Sequence, residues 1–407
     1  MDQLTLKSGK SRFVEFIFLI FTIAFYTGAL KSFWGNYEIF FSIIILLFLM
    51  YFIFTKRINI IRGLLTNSLL FLFIFYTSIS FLWSVDVKMS LYRVFLLIVS
   101  TLFALYIFER FELTEWFYYL SVTVFLCIIV SIFFILFIPE LGIHHDQYLF
   151  GAWKGIYFHK NGFGSILIIN IIMGFYQYLN LKKNKIIPVL NIIFSLILLY
   201  YSQSKTALLI FIIMIVILLC LKIRKFPKLL RISLTIFFLT IFLCIGFFVL
   251  GNIGLILNVL NRDLTLSGRI EIWNYVYIKS NLSPFFGYGY GGFWTEKTRA
   301  TQDILRLIGF PIYSSHNGFL DILVNLGYIG LFIFILVFVS GLVYSFLILQ
   351  KNFSKYNWLL MIILIFIFAN NISETRIILS DPIHWVLFIT TLLYSSRQFK
   401  LLYGKQL

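Results

Sequence analysis

Long apolar runs alternate with short polar segments along the chain, at roughly 13–30, 37–54, 64–82, 91–108, 117–138, 162–180, 186–201, 205–221, 229–250, 327–349, 356–371 and 382–396. Most approach the ~20 residues an α-helix needs to cross a bilayer. The runs are continuous, whereas the strands of a membrane barrel alternate apolar and polar positions, so a closed β-barrel is excluded. The pattern predicts an all-α polytopic membrane protein with about 12 transmembrane helices. The seventh and eighth runs are the weakest pair, since only Ser202-Gln203-Ser204 separates them. An even number of spans puts both termini on one side. Two connections are too long to be turns, at 139–161 and 252–315. Long loops in compact proteins usually carry function. With no repeat of fixed period, residues 1–407 read as one membrane domain with the loops at 139–161 and 252–315 as an external cap.

Composition agrees. Hydrophobic residues make up 61% of the 407 and charged residues only 12%, with a mean hydropathy of +0.97. A soluble enzyme, a disordered chain and a disulfide scaffold are thereby excluded. Net charge is +17, which in a soluble protein would suggest nucleic acid. Here 20 of the 33 Lys and Arg residues fall on the side of the N-terminus, among them Lys7, Lys10, Arg12, Lys182, Lys183 and Lys185. The positive-inside rule then makes both termini cytoplasmic and the two long loops external. The excess charge is a topology signal and an attraction to anionic membrane lipid, with no nucleic-acid partner. No small-residue cleavage site follows the first run, which reads as a span rather than a signal peptide. Cys127, Cys220 and Cys244 lie inside apolar runs without a Cys-x-x-Cys spacing and read as free thiols.

Candidate chemistry sits mainly in the larger loop. Ser267-Gly268-Arg269-Ile270-Glu271-Ile272-Trp273 reads as a helix start capped by Ser267. Further on, Ser314 or Ser315 would cap a helix beginning near His316. On it Asn317, Asp321 and Asn325 would form a polar stripe opposite an apolar face, as on a short helix at a membrane surface. The glycine run at 287–292 lacks the Gly-Lys-Ser ending of a phosphate loop. Tight turns fit it, with its aromatics facing a sugar or packing inward. His144 and His145 beside Asp146 are poorly spaced for one ion, and no metal is expected. Glu374 and Arg376, in the last external turn, either pair with each other or line the cavity.

These residues resemble the O-antigen ligase and O-antigen (exopolysaccharide) polymerase superfamily. His316-Asn317 followed by Gly327-x-x-Gly330 is similar to its histidine motif, and Ser-Gly-Arg-x-x-x-Trp at 267–273 and Gly-Tyr-Gly-x-Gly at 287–291 to its preceding loop. Trp83-Ser84, His159-Lys160-Asn161 and Ser204-Lys205-Thr206 are similar to smaller family signals. The resemblance implies a metal-independent, cofactor-free glycosyltransferase of the GT-C type in the bacterial cytoplasmic membrane. Such an enzyme moves an oligosaccharide from a polyprenyl (undecaprenyl) diphosphate carrier to a glycan acceptor on the external side. A diphosphate leaves readily without a general acid, but its charge needs cations: Arg269, with Lys205 and Lys160 as further candidates. His316 is the implied general base, with Asn317, Asp321 and Asn161 in support. Many members carry arginine where this chain has Lys205, which keeps the charge and loses the bidentate fork.

Trp153, Lys154, Gly155 and the Phe158–Asn161 run resemble the polymerase branch, for which a chain-length regulator is a candidate partner. The alternative is a ligase that transfers finished glycan to a lipid-A core, cell wall or protein. A flippase for lipid-linked oligosaccharide is a reading of another class, disfavoured by the scarcity of ionisable residues in span centres and the lack of a two-fold hydropathy repeat.

Overall fold

The computed structural model describes residues 9–146, 149–181, 185–223, 269–295, 298–308, 312–352, 354–377 and 382–404. Among these the protein is all-α apart from one isolated β-bridge between Ile143 and Trp153. The main helices are α1 (Gly9–Tyr26), α2 (Glu38–Lys56), α3 (Ser68–Ile79), α4 (Val87–Arg110), α5 (Leu113–Phe137), α6 (Lys160–Asn180), α7 (Ile186–Tyr201) and α8 (Lys205–Ile223). They continue with α9 (Arg269–Ser280), α10 (Arg299–Ile308), α11 (Gly318–Lys351), α12 (Lys355–Ser373) and α13 (Pro382–Tyr403). Every predicted run but the ninth coincides with a helix. The run at 229–250, Cys244 and the expected Ser267 cap lie outside the described residues.

These segments are helices because a helix satisfies its own backbone hydrogen bonds, which hydrocarbon cannot do. Polar residues mark their starts. Asn67 accepts from the Leu70 N–H (3.0 Å), Asp86 from Met89 (3.2 Å) and Ser354 from Asn357 (3.2 Å). Side chains on α2 such as Leu47 and Phe54 are largely exposed, as suits a lipid-facing helix. The middle of the bundle is α13, which packs against α4, α11 and α12 and buries every residue from Ile383 to Ser396. Its Thr390, Thr391, Ser395 and Ser396 are tolerated there because neighbouring helices shield them from lipid.

One break organises the loops. Helix α11 starts at Gly318, nine residues before the predicted span, and is interrupted at Gly327 (φ 69°, ψ −173°). The backbone groups freed by the break are taken up by the glycine run. The Tyr288 N–H donates to the Val324 carbonyl (3.0 Å), and the Tyr328 N–H donates to the Pro284 carbonyl (2.7 Å). The Tyr76 hydroxyl donates to the Leu326 carbonyl (2.9 Å). A Cβ on Gly327 would lie 2.2 Å from the Phe285 oxygen, and one on Gly287 would lie 2.5 Å from the Asn325 carbonyl carbon. Only glycine permits that approach. On its other side the run rests on Trp83-Ser84. The Trp83 indole donates to the Phe286 carbonyl (2.9 Å), and the Val85 N–H donates to the Tyr288 carbonyl (3.1 Å). Of the aromatics in and beside the run, Tyr290 and Phe293 pack inward, whereas Phe285 and Phe286 are exposed.

Candidate active site

The histidine precedes α11 rather than starting it. The helix cap is Asn317, whose side chain accepts from the N–H groups of Phe319 (3.0 Å) and Leu320 (3.3 Å). His316 lies one residue before, in a left-handed conformation (φ 53°) that is uncommon outside glycine. The peptide in front of it is clamped from two sides. The Ser315 N–H donates to the buried Asp321 carboxylate (3.1 and 3.3 Å), and the Trp273 indole donates to the Ser315 carbonyl (2.9 Å). Asp321 also accepts from the Trp294 indole (2.7 Å) and from the Thr375 hydroxyl. The polar stripe expected at a surface therefore faces inward: Asp321 and Asn325 are buried and tie the loops together. With three donors making four contacts to its two oxygens, Asp321 acts as a clamp.

Glu374 is the centre of the site. It follows α12, and its N–H continues the helix ladder to the Asn370 carbonyl (2.9 Å). The residue is 7% exposed. It accepts from Arg269 Nη2 (2.8 Å) and Asn161 Nδ2 (2.7 Å), lies 3.3 Å from His316 Nδ1, and has Arg376 Nη2 at 3.9 Å. Arg269 Nη1 donates in addition to the Ser373 carbonyl (2.6 Å). Asn161 is oriented by Ser204, whose hydroxyl donates to its Oδ1 (2.9 Å). Burial pushes the Glu374 carboxyl up, but the His316 hydrogen bond and the charges of Arg376, His316 and Arg269 outweigh it and hold the group well below the usual carboxylate range. An ionised carboxylate can only accept. His316 Nδ1 therefore carries the proton, and in the neutral ring Nε2 carries the lone pair.

The cluster thus joins four distant segments: Asn161 at the start of α6, Arg269 at the start of α9, His316 before α11, and Glu374 with Arg376 after α12. Lys160 is half-buried at the first position of α6, where its N–H donates to His144 Nε2 (3.2 Å). Lys205, the first residue of α8, is exposed next to Ser204. His144 Nδ1 lies 3.4 Å from Asp146, and burial lowers its pKa. His159 caps α6 by accepting from the Asn161 N–H (3.1 Å), and burial lowers its pKa to about 4. Sequence reasoning placed Glu374 and Arg376 together without choosing a role. They both pair and reach the site, where Arg376 lines an adjoining cavity of about 570 Å³.

A known family matches the part of the chain that carries Arg269 and His316, while Asn161, Glu374 and Arg376 lie outside the match. Residues 190–335 match the family model described as O-antigen ligase, just over a third of the chain. That stretch includes Lys205, Arg269, the glycine run, His316 and the break at Gly327. Over 94 residues the chain is 30% identical to the exopolysaccharide production protein ExoQ of Rhizobium meliloti (strain 1021), covering 22% of each protein. The match thus spans about a fifth of that relative's length. Both findings support the resemblance to the O-antigen ligase and polymerase superfamily. Fold and comparisons together define a multi-pass, all-α membrane protein similar to that class.

Proposed function

We propose that the protein is a membrane glycosyltransferase that moves an oligosaccharide from a polyprenyl (undecaprenyl) diphosphate carrier to a glycan hydroxyl, without a metal. The observation that carries this reading is the Glu374–His316 pair. An ionised carboxylate on Nδ1 fixes the imidazole tautomer and stabilises the imidazolium formed in catalysis, as in other carboxylate–histidine sites. In the proposed step Nε2 takes the proton of the acceptor hydroxyl. The hydroxyl oxygen bonds to the anomeric carbon, and the anomeric C–O bond to the carrier breaks with its electron pair on the diphosphate. Arg269 keeps donors beyond the two given to Ser373 and Glu374, and with Arg376 it leaves the cluster net positive for the departing charge. Lys160 and Lys205 stand beside the Asn161–Ser204 link as further cations. The site would face the external side of a bacterial cytoplasmic membrane with both termini inside, as the basic residues predict.

A polymerase, joining carrier-linked repeat units, is the preferred form, supported by the exopolysaccharide relative. The O-antigen ligase description of the matching family favours transfer of finished glycan as the second reading. The test is purified protein with a polyprenyl-diphosphate glycan and no nucleotide. New glycosidic bonds between repeat units support a polymerase, and bonds only to an added core acceptor support a ligase. Carrier movement across a bilayer without new bonds would instead indicate a flippase.

A further inference from the structure

Helix α9 is apolar on two sides. Ile272 and Val276 turn inward and pack with Phe293, Ile304 and Val324 in a second core, smaller than that of the bundle. Tyr277 and Ile278, on the outer side, are exposed. Past the end of the helix Leu282, Phe285 and Phe286 are 71%, 64% and 51% exposed. Five large apolar side chains thus stand open between residues 277 and 286. Lys279, the one charged residue of that stretch, turns away to the Asp303 carboxylate (3.4 Å). A concentration of exposed apolar surface of this kind marks a contact with a partner or a membrane.

The neighbours of the patch say which. The Tyr328 N–H donates to the Pro284 carbonyl (2.7 Å), and the Tyr328 hydroxyl lies 3.5 Å from Asn281 Oδ1, so the patch is level with the part of α11 that follows the break. From there Phe332, Ile335, Leu336 and Val339 are exposed along one side of α11, the stripe of a lipid-facing helix. Helix α3 presents a second exposed stripe, Phe71 and Phe75, continued past its end by Leu82. Next to Leu82, the Trp83 ring meets Phe286 with centroids 5.4 Å apart. Both stripes run into the patch, which therefore continues a surface that already faces lipid. From Tyr328 to Lys351 α11 is about 35 Å long, slightly more than the ~30 Å of a hydrocarbon core. With Lys351 in one headgroup layer, Tyr328 and the patch reach the other.

We propose that residues 277–286 insert their apolar side chains into the interfacial layer of the bilayer, so that the segment bearing Arg269 is held to the membrane by a monotopic anchor as well as by α11. Helix α9 is a rigid spacer of about 17 Å between this anchor and Arg269, so the depth of the one limits the depth of the other. The anchoring is independent of the reaction that the site performs.

The test uses single cysteines in the full-length protein, with the three native cysteines replaced, labelled with the environment-sensitive fluorophore NBD and reconstituted at one copy per nanodisc. Phe332→Cys serves as the lipid-facing reference and Glu271→Cys as the aqueous one. Leu282→Cys and Phe285→Cys, at side chains more than half exposed, should emit to the blue of Glu271→Cys. Both should lose most of their fluorescence to lipids with a nitroxide near the headgroup end of the acyl chain, as fits an apolar face buried about 5–10 Å into the interface. Absence of lipid quenching at either position would overturn the proposal. Iodide quenching equal to that of Glu271→Cys would then mean a loop standing in water, and protection from both quenchers would mean a covering protein surface.

Discussion

His316 is held by more of its surroundings than a histidine that merely packs would need. Its peptide is clamped by Trp273 and Asp321, and its ring is set by Glu374. A left-handed non-glycine residue costs about 1–3 kcal/mol, and such strain persists only where neighbours over-determine it. His316→Gln should lower transfer by about 10²- to 10⁴-fold, the range for a lost general base, measured as glycan product per unit time. Glu374→Gln should lose on the order of 10²-fold or more by freeing the ring and its tautomer. The same residue has a pH signature. Its folded pKa lies below the unfolded value of about 4.3, so its stabilisation is fully present above that value and is lost as pH falls towards the folded one. The melting-temperature gap between wild type and Glu374→Gln should therefore narrow as pH falls below about 4. A gap that persists undiminished on further acidification would contradict the ion cluster. The histidine and the arginine were legible in the sequence because they sit in compact motifs. Glu374 was not, since its meaning comes from side chains 58 and 105 residues away.

At the scale of elements, the motif glycines act as contact surfaces. The sequence suggested tight turns, and the broken helix shows why they are needed: two backbones meet where Gly287 crosses the break at Gly327. Gly327→Ala adds both a steric clash and an unfavourable φ, and should cost at least about 3 kcal/mol. Gly151 has a similar φ of 77° with nothing within 4 Å, so Gly151→Ala should cost only about 1–2 kcal/mol. Thermal melts of the two variants in detergent would separate the contributions; equal losses would mean that the contact carries no energy. Helix positions were readable from hydropathy, because the bilayer imposes one rule on every span. The start of α11 was misplaced because the sequence offers two caps of one kind, Ser314 and Ser315, and the chain uses Asn317 instead. The inward face of its polar stripe could not be read either, since periodicity gives a face and not what covers it.

For the whole molecule, the proposed topology places α9 outside the cytoplasm. A cysteine at exposed Glu271, with the three native cysteines replaced, should react with an impermeant maleimide added to intact cells. Reaction only after permeabilisation would move the cluster to the cytoplasmic side and remove the assigned donor. The order of the four contributing segments also bears on synthesis. Asn161, Arg269 and His316 are all made before residue 374, and the carboxylate that gathers them follows only after α12. Until then the growing chain carries the cations without the anion that holds them in register. A ribosome stalled before that point leaves α1–α11 without the carboxylate of the proposed centre. The proposed chemistry is thereby deferred until residue 374 has been added, a timing set by where one glutamate falls in the chain.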